Sequence, residues 1–136
     1  MKNISHLELK NYNCKNGIRL PITSRTYVGK IVKIDSSVFI RENGRTGKAI
    51  IIYVDVVVND NTIASIKSYH CADNPDYSDY YRLLRWIKWH TGIEVTDIKD
   101  YLNRNLLINF QVSRSLKGND VARIMWFEPL KKNKEK

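Results

Sequence analysis

The chain has 136 residues, about the length of one domain, and its hydrophobic fraction of 43% and charged fraction of 27% exclude general disorder. Lysine and arginine outnumber aspartate and glutamate by 23 to 14, and the resulting net charge of +9 attracts polyanions, with nucleic acid first and an anionic membrane second. No apolar stretch is long enough for a signal peptide or a membrane span. The two cysteines, Cys14 and Cys71, form no CxxC motif or Cys/His cluster. We therefore expect a reduced, cytoplasmic protein.

The two ends of the chain differ from its middle. Residues 1–25 are mixed and polar, with a turn signal at KNG and a break at Pro21, and we interpret them as an arm or an added hairpin. The last residues, 131–136, read KKNKEK and predict a disordered basic tail. We therefore expect one domain at 26–130.

The first half of this domain has the pattern of three strands. Residues 26–40 are rich in β-branched side chains, and Gly29 within them predicts a bulge or a sharp bend. The sequence RENGRTG predicts a hairpin loop that leads into a second strand at 48–58. All even positions of that strand from Ile50 onward are apolar, whereas its odd face is only partly so. A turn at NDN then leads to a third strand at 62–70.

The second half begins with a helix. The sequence CADNPD predicts the loop before it, with Asn74 as the N-cap, and the helix at 77–91 is expected to end at Gly92. A short helical segment follows, and then two strands at 105–113 and 121–127.

This order of elements predicts a mainly β protein with five antiparallel strands and a helix between strands 3 and 4. It is the order of an OB-fold, a partly open five-stranded β-barrel in which a long first strand must bend to serve both halves. An antiparallel sheet with one packed helix would give the same pattern, and it is the alternative.

The chain resembles single-stranded DNA-binding proteins of the OB-fold type, especially the short ones of phages and mobile elements. The resemblance covers residues 26–130 and is carried by four stretches: YVGKIVKI, NGRTGKAIIIYVDVVV, YYRLLRWI and LNRNLLINFQVSRSLKGNDVARIMWFEP. It implies sequence-independent binding of single-stranded DNA in the replication or recombination of a phage or mobile element. Bacterial housekeeping members end in an acidic tail that recruits partners, but this chain ends in KKNKEK, and residues 1–25 have no counterpart.

Such binding needs cations for the phosphates and aromatic rings for the bases. Tyr53 lies on the less apolar face of its strand, and Lys67 shares a strand face with Tyr69. Other cations lie on the first strand or flank the two hairpin loops, which border the binding face of an OB-fold. The predicted nucleic-acid-binding residues are Lys30, Lys33, Arg41, Arg45, Lys48, Tyr53, Lys67, Tyr69, Arg114 and Lys117.

The helix has two different faces. Its core stripe consists of Tyr80, Leu83, Leu84 and Ile87, with His90 at the edge. The opposite half carries Arg82, Arg85, Trp86 and Trp89. This second set fits packing against the N-terminal arm or in a second layer of core, contact with a protein partner, or stacking on bases, because Trp and Arg are frequent in such contacts.

We expect no catalytic residue, metal ion or cofactor, because the carboxylates are scattered and no phosphate loop of the Walker type is present. The expected partners are single-stranded DNA, with RNA left open, and further copies of the chain; no membrane is expected. The main alternative is a protein-interaction or inhibitor module that uses the Trp/Arg face of helix 77–91, and a metal-dependent nuclease is a weaker one.

Overall fold

The computed structural model describes residues 2–3, 13–14, 17–76 and 78–130. The predicted tail at 131–136 and residues 1, 4–12 and 15–16 of the predicted arm lie outside the described residues. Within them, no helix is long and apolar enough to span a bilayer.

Five long strands, three short ones and one α-helix make up most of the described structure. The short strands are β1 (Lys2–Asn3), β2 (Asn13–Cys14) and β3 (Gly17–Ile18). The long strands are β4 (Thr26–Ile40), β5 (Thr46–Asn59), β6 (Thr62–Cys71), β7 (Leu106–Arg114) and β8 (Asp120–Pro129). The helix α1 (Asp79–Thr91) lies between β6 and β7 in the chain, and a short 3-10 helix (Ile98–Tyr101) follows it.

The long strands form one antiparallel sheet. The order of its strands is β1-β6-β5-β4-β7-β8, and β1 pairs in parallel with β6, while β2 and β3 form a separate small hairpin. A mainly β protein with five antiparallel strands and a helix between the third and fourth is therefore confirmed. The described ladder is open, since β6 and β8 share no backbone pairing in it, and closure into an OB-fold barrel stays a prediction.

Two irregular features lie close together in β4. Gly29 pairs with Val56 of β5 and with Leu106 of β7, so β4 changes partner at this residue. A Cβ atom at Gly29 would lie 2.5 Å from the backbone oxygen of Asp55, which makes glycine necessary for this close approach. The bulge itself follows at Ile31–Lys33, and not at Gly29.

The core is built from the inner face of the sheet and one stripe of α1. Val54 and Val56 of β5 are fully buried, as the unbroken apolar face of this strand predicts. Leu83 and Ile87 of α1 join the same core. His90 does not, since it is exposed at the end of the helix.

The helix begins two residues later than predicted. Its N-cap is Ser78, whose backbone is extended, and not Asn74. Asn74 instead stabilises the preceding turn, where its side-chain oxygen accepts a hydrogen bond of 2.8 Å from the amide of Asp76. Gly92 ends the helix with a φ of 76°, as predicted.

The stretch just before β4 packs against the β7–β8 hairpin. The guanidinium of Arg19 donates to the backbone oxygen of Gly118 at 2.7 Å, and the amide of Leu20 donates to the carboxylate of Asp120 at 3.0 Å. Ile22 is only 3% exposed and belongs to the core. The end of the predicted arm therefore contributes to the domain.

Candidate functional site

Three neighbouring strands expose a face on which aromatic rings and cations alternate. We call this surface, which lies on β4, β5 and β6 and points away from the core, the outer platform. Its central row is Lys33, Tyr53 and Lys67, which are direct cross-strand partners. The ammonium of Lys33 lies 5.3 Å from the centroid of the Tyr53 ring, within the range of a cation–π contact. The principal residues of the platform are Lys30, Lys33, Asp35, Phe39, Tyr53, Lys67 and Tyr69.

The next row supplies the most exposed ring of the platform. Tyr69 is 55% exposed, and the ammonium of Lys67 lies 5.5 Å from its ring centroid. Tyr69 pairs with Ile51, which in turn pairs with Asp35 on β4. A carboxylate oxygen of Asp35 lies 3.5 Å from the ammonium of Lys33. This part of the platform is therefore a ring bordered by charges of both signs.

A bulge places both predicted lysines of β4 on the platform. Lys30 pairs with Asp55 and Lys33 pairs with Tyr53, two odd positions of β5 that share one face. Lys30 and Lys33 have opposite parity in the sequence, so a regular strand would have separated them. The bulge after Ile31 shifts the register by one residue and brings them together.

Phe39 is a platform residue that the sequence analysis missed. It pairs with Gly47, and a Cβ atom at Gly47 would lie 2.5 Å from the tip of the Phe39 ring. The glycine therefore lets the ring lie across β5. The guanidinium of Arg41 lies 5.0 Å from the ring centroid, so a cation accompanies this ring as well.

The predicted cations of the first hairpin are divided between different environments. Arg41 forms an ion pair with Asp73, which also accepts a hydrogen bond from the amide of Lys48. Lys48 pairs with Val38 on the opposite face from Tyr53, so it does not belong to the platform. Arg45 and Lys48 line a groove of about 830 Å³ between the hairpin and the start of α1.

The predicted cations near the second hairpin are Arg114 and Lys117. Among the described residues, neither forms an ion pair with a residue of the platform. The guanidinium of Arg114 lies 3.7 Å from the carboxylate of Asp120 on β8. Lys117 is exposed in the loop that follows β7.

Most of the predicted Trp/Arg face of α1 is engaged within the chain. Arg85 donates to the backbone oxygens of Pro75 and Asp76 at 3.1 and 3.0 Å, and so holds the loop before the helix. Trp86 is partly buried, and the guanidinium of Arg82 lies 5.9 Å from its ring centroid. Only Trp89 remains largely free, with 81% of its surface exposed.

Trp89 belongs to a second group of rings, which we call the aromatic cluster: Trp89, His90 and Trp126. The rings of His90 and Trp126 are stacked, with centroids 5.1 Å apart and planes inclined by 25°. Trp89 meets His90 at 5.6 Å, edge to face. No sequence pattern indicated Trp126 as a neighbour of these residues, because it lies on β8, far from α1 in the chain.

Arg123 of β8 also lies beside the platform, although no local sequence signal predicted it. Its guanidinium lies 3.5 Å from the carboxylate of Asp79 at the start of α1. Both residues line a groove that also includes Tyr69 and Cys71 of β6. The fold, and not the spacing along the chain, brings these residues together.

A buried histidine lies under this edge of the sheet. His70 is 1% exposed, and its Nε2 lies 2.6 Å from the hydroxyl of Ser68. Burial lowers the pKa of His70 from 6.5 to about 4; the carboxylate of Asp79 opposes this shift and the guanidinium of Arg123 adds to it. The imidazole is therefore neutral at physiological pH. In the part of the chain that the structure describes, no group of three or more His, Cys, Asp or Glu side chains is placed to hold a metal ion.

No family model and no curated protein matches this chain.

Proposed function

We propose that the outer platform binds single-stranded DNA with little sequence preference. The observation that carries this proposal is the row Lys33–Tyr53–Lys67, in which a tyrosine pairs directly with a lysine on each of the two neighbouring strands. Bases stack on aromatic rings whatever their identity, and neighbouring ammonium groups attract the phosphates that connect them. Tyr69 and Phe39 extend the same arrangement along the platform.

We also propose that the sheet belongs to an OB-fold. The pairing supports this, because β4 pairs with both β5 and β7 and bends between them, as the first strand of such a barrel does. The amide of Ile124 on β8 donates to the hydroxyl of Ser68 on β6 at 3.0 Å, which brings the two outer long strands together. In an OB-fold the outer face of strands 2 and 3 binds oligonucleotides, and these strands correspond to β5 and β6.

The resemblance to phage and mobile-element proteins extends the proposal to a cellular role. The protein would coat single strands in the cytoplasm during replication or recombination of such an element, with several copies on one strand. RNA is a possible ligand too, since stacking and phosphate contacts do not require a particular sugar.

The experiment that tests this function is a titration of a fluorescent oligo-dT by anisotropy at several salt concentrations, with a duplex of equal length as competitor. We expect a single-strand preference that needs no divalent ion, and an affinity that falls with salt at a log–log slope of about −0.7 per phosphate neutralised. Equal binding of duplex and single strand, or no binding at low salt, would contradict the proposal.

The aromatic cluster supports a second candidate, a contact with a protein partner. An indole that is 81% exposed and continues into a stacked pair of rings is the kind of surface that serves as a hot spot. If this is the main function, Trp89→Ala abolishes it, while Tyr53→Ala and Lys67→Ala have no effect. Co-purification with a tagged wild-type chain and a tagged Trp89→Ala chain, followed by identification of what is lost, tests this alternative.

A further inference from the structure

The second half of β4 has an open edge among the described residues. One edge of β4 pairs with β5 as far as Ile40, but the other pairs with β7 only from Thr26 to Gly29, and an isolated bridge joins Ile31 to Leu102. Within residues 2–3, 13–14, 17–76 and 78–130, no backbone group is bonded to this second edge from Val32 to Ile40. An open edge of this length is a template for another strand.

This edge presents both hydrogen-bonding groups and exposed apolar side chains. The amide of Arg41 donates to the backbone oxygen of Arg45 at 2.7 Å, so the backbone groups of Arg41 point towards β5. Successive residues of a strand point these groups to alternate sides, and those of Ser36, Val38 and Ile40 therefore point outward. Val38 and Ile40 are also 68% and 78% exposed, on the face opposite the outer platform. The hairpin can therefore offer a partner both backbone bonds and apolar contact.

We propose that this edge of β4 pairs with the same edge of a second copy of the chain, antiparallel and centred on Ser36. The two-fold axis passes through this point at right angles to the sheet, so each side chain meets one on the same face of the other strand. Ile34 then lies opposite Val38 of the second copy, and this apolar pair occurs twice in the dimer. On the platform face Lys33 lies opposite Phe39, a cation–π pair that also occurs twice.

The charges of β4 select this register over its neighbours. Because only every second residue points its backbone groups outward, one strand can shift along the other only in steps of two residues. A shift in one direction places Asp35 opposite Asp35 of the second copy, and a shift in the other places Lys33 opposite Arg41. Like charges directly opposite each other destabilise a sheet. In the proposed register Asp35 lies opposite Ser37 without such a conflict, and this self-complementarity identifies a second copy as the partner.

The dimer joins two outer platforms into one surface. β4 is the outermost strand of each platform, and an axis at right angles to the sheet keeps both platforms on the same face. A bound single strand that crosses the joint would then contact both copies. This consequence rests on the function proposed above, whereas the strand pairing does not.

The first test is sedimentation equilibrium of nucleic-acid-free protein at concentrations up to several hundred micromolar. We expect a monomer–dimer equilibrium without larger species, because pairing of the same edge on both copies closes the assembly. Ser36→Pro removes an outward N–H and should weaken the dimer at least about tenfold, whereas Ser36→Ala keeps the amide and should dimerise as the wild type does. Val38→Lys alters an exposed side chain, places an ammonium opposite Ile34 and should also weaken the dimer. Circular dichroism of each variant confirms that its sheet is intact.

The second test examines the register through Ser37. Ser37→Lys places an ammonium opposite Asp35 of the second copy twice per dimer, and should tighten the dimer several-fold. Ser37→Asp places two carboxylates opposite each other and should weaken it. A dimer centred on Ser37 would instead bring the two new lysines together, so a weaker dimer in Ser37→Lys would contradict the proposed register.

The outcomes separate this proposal from the proposed function. A wild-type protein that stays monomeric at all these concentrations, or a dimer that Ser36→Pro and Val38→Lys leave unchanged, overturns the pairing of β4. Either result leaves the platform standing if the protein binds oligo-dT. A dimer that responds to these substitutions but binds no oligonucleotide supports the pairing and refutes the function.

Discussion

The hydroxyl oxygen of Ser68 on β6 accepts a hydrogen bond from the backbone amide of Ile124 on β8, at 3.0 Å and out of contact with solvent. These strands lie at opposite sides of the long-strand order, and the described ladder contains no backbone pairing between them. A side chain thus links two strands that are not neighbours in this ladder. The same hydroxyl lies 2.6 Å from Nε2 of His70, so one serine serves two buried groups.

Ser68→Ala should destabilise the protein by about 1–3 kcal/mol, because it leaves the buried amide of Ile124 without its acceptor. Ser65→Ala is the matched control on the same strand, since Ser65 is only partly buried and bonds to Asp55 at 2.8 Å. Urea denaturation of both variants measures the difference in the free energy of unfolding. Equal midpoints would mean that the Ser68 contact does not stabilise the approach of β6 and β8.

His70 should make stability depend on pH. Because burial lowers its pKa in the folded state to about 4, the unfolded chain takes up this proton first as the pH falls below 6.5. The contribution of His70 to the free energy of unfolding is therefore fully present above pH 6.5 and declines as the pH falls towards 4. Below pH 4 this histidine causes no further loss of stability. The full effect is about 3 kcal/mol. Urea denaturation across this range should show a weaker decline for His70→Gln than for His90→Gln, in which an exposed histidine is replaced; parallel curves would contradict the assignment.

Gly29→Ala should cost about 1–3 kcal/mol or more, since the new Cβ would lie 2.5 Å from a backbone oxygen that cannot rotate away. Gly47→Ala is the comparison, because its close contact is the ring of Phe39, a side chain that can move. We expect a smaller loss of thermal stability for Gly47→Ala. If the two substitutions cost the same, the close approach of β4 and β5 at Gly29 is not the constraint.

The affinity for single strands should fall less steeply with salt in Lys67→Ala than in the wild-type protein. We expect the slope of log affinity against log salt concentration to become shallower by about 0.7, the contribution of one phosphate contact. Lys88→Ala removes the same charge from α1, where Lys88 is paired with Glu94 at 3.2 Å, and should leave the slope unchanged. Anisotropy titrations at four or more salt concentrations give both slopes. A slope that changes equally in the two variants would indicate a diffuse electrostatic effect and not a contact at the platform.

Most of the secondary structure could be predicted from the sequence. The alternation of apolar residues in β5 identified both the strand and its buried face, and Gly92 identified the end of α1. The start of the helix was harder, because Asn74 and Ser78 are both good N-cap residues and only the turn at Asp76 decides between them.

The composition of the platform could be predicted only in part. Tyr53, Lys67 and Tyr69 follow from strict alternation within their strands. The placement of Lys33 and Phe39 on the platform depends on a bulge whose position could not be predicted from the sequence. Gly29 suggested a bulge two residues before the observed one. Lys48 lies on the opposite face of β5 from Tyr53, as the alternation of even and odd positions along this strand predicts.

Contacts between distant segments could not be predicted at all. Arg123 and Asp79 are brought together by the packing of α1 against β8, and Trp126 meets His90 for the same reason. Single-sequence patterns report which face of an element is buried, but not which other element covers it.

The measurement that tests the platform most directly is the affinity of Tyr69→Ala and of Trp89→Ala for the same oligo-dT, side by side with the wild-type protein. Both residues are exposed aromatic side chains, at 55% and 81%, but only Tyr69 lies on the platform. We predict that Tyr69→Ala weakens binding by about 5- to 150-fold, the loss of one stacked base, and that Trp89→Ala binds as the wild type does. A loss of affinity in Trp89→Ala with none in Tyr69→Ala would place the binding surface on the aromatic cluster and contradict the account.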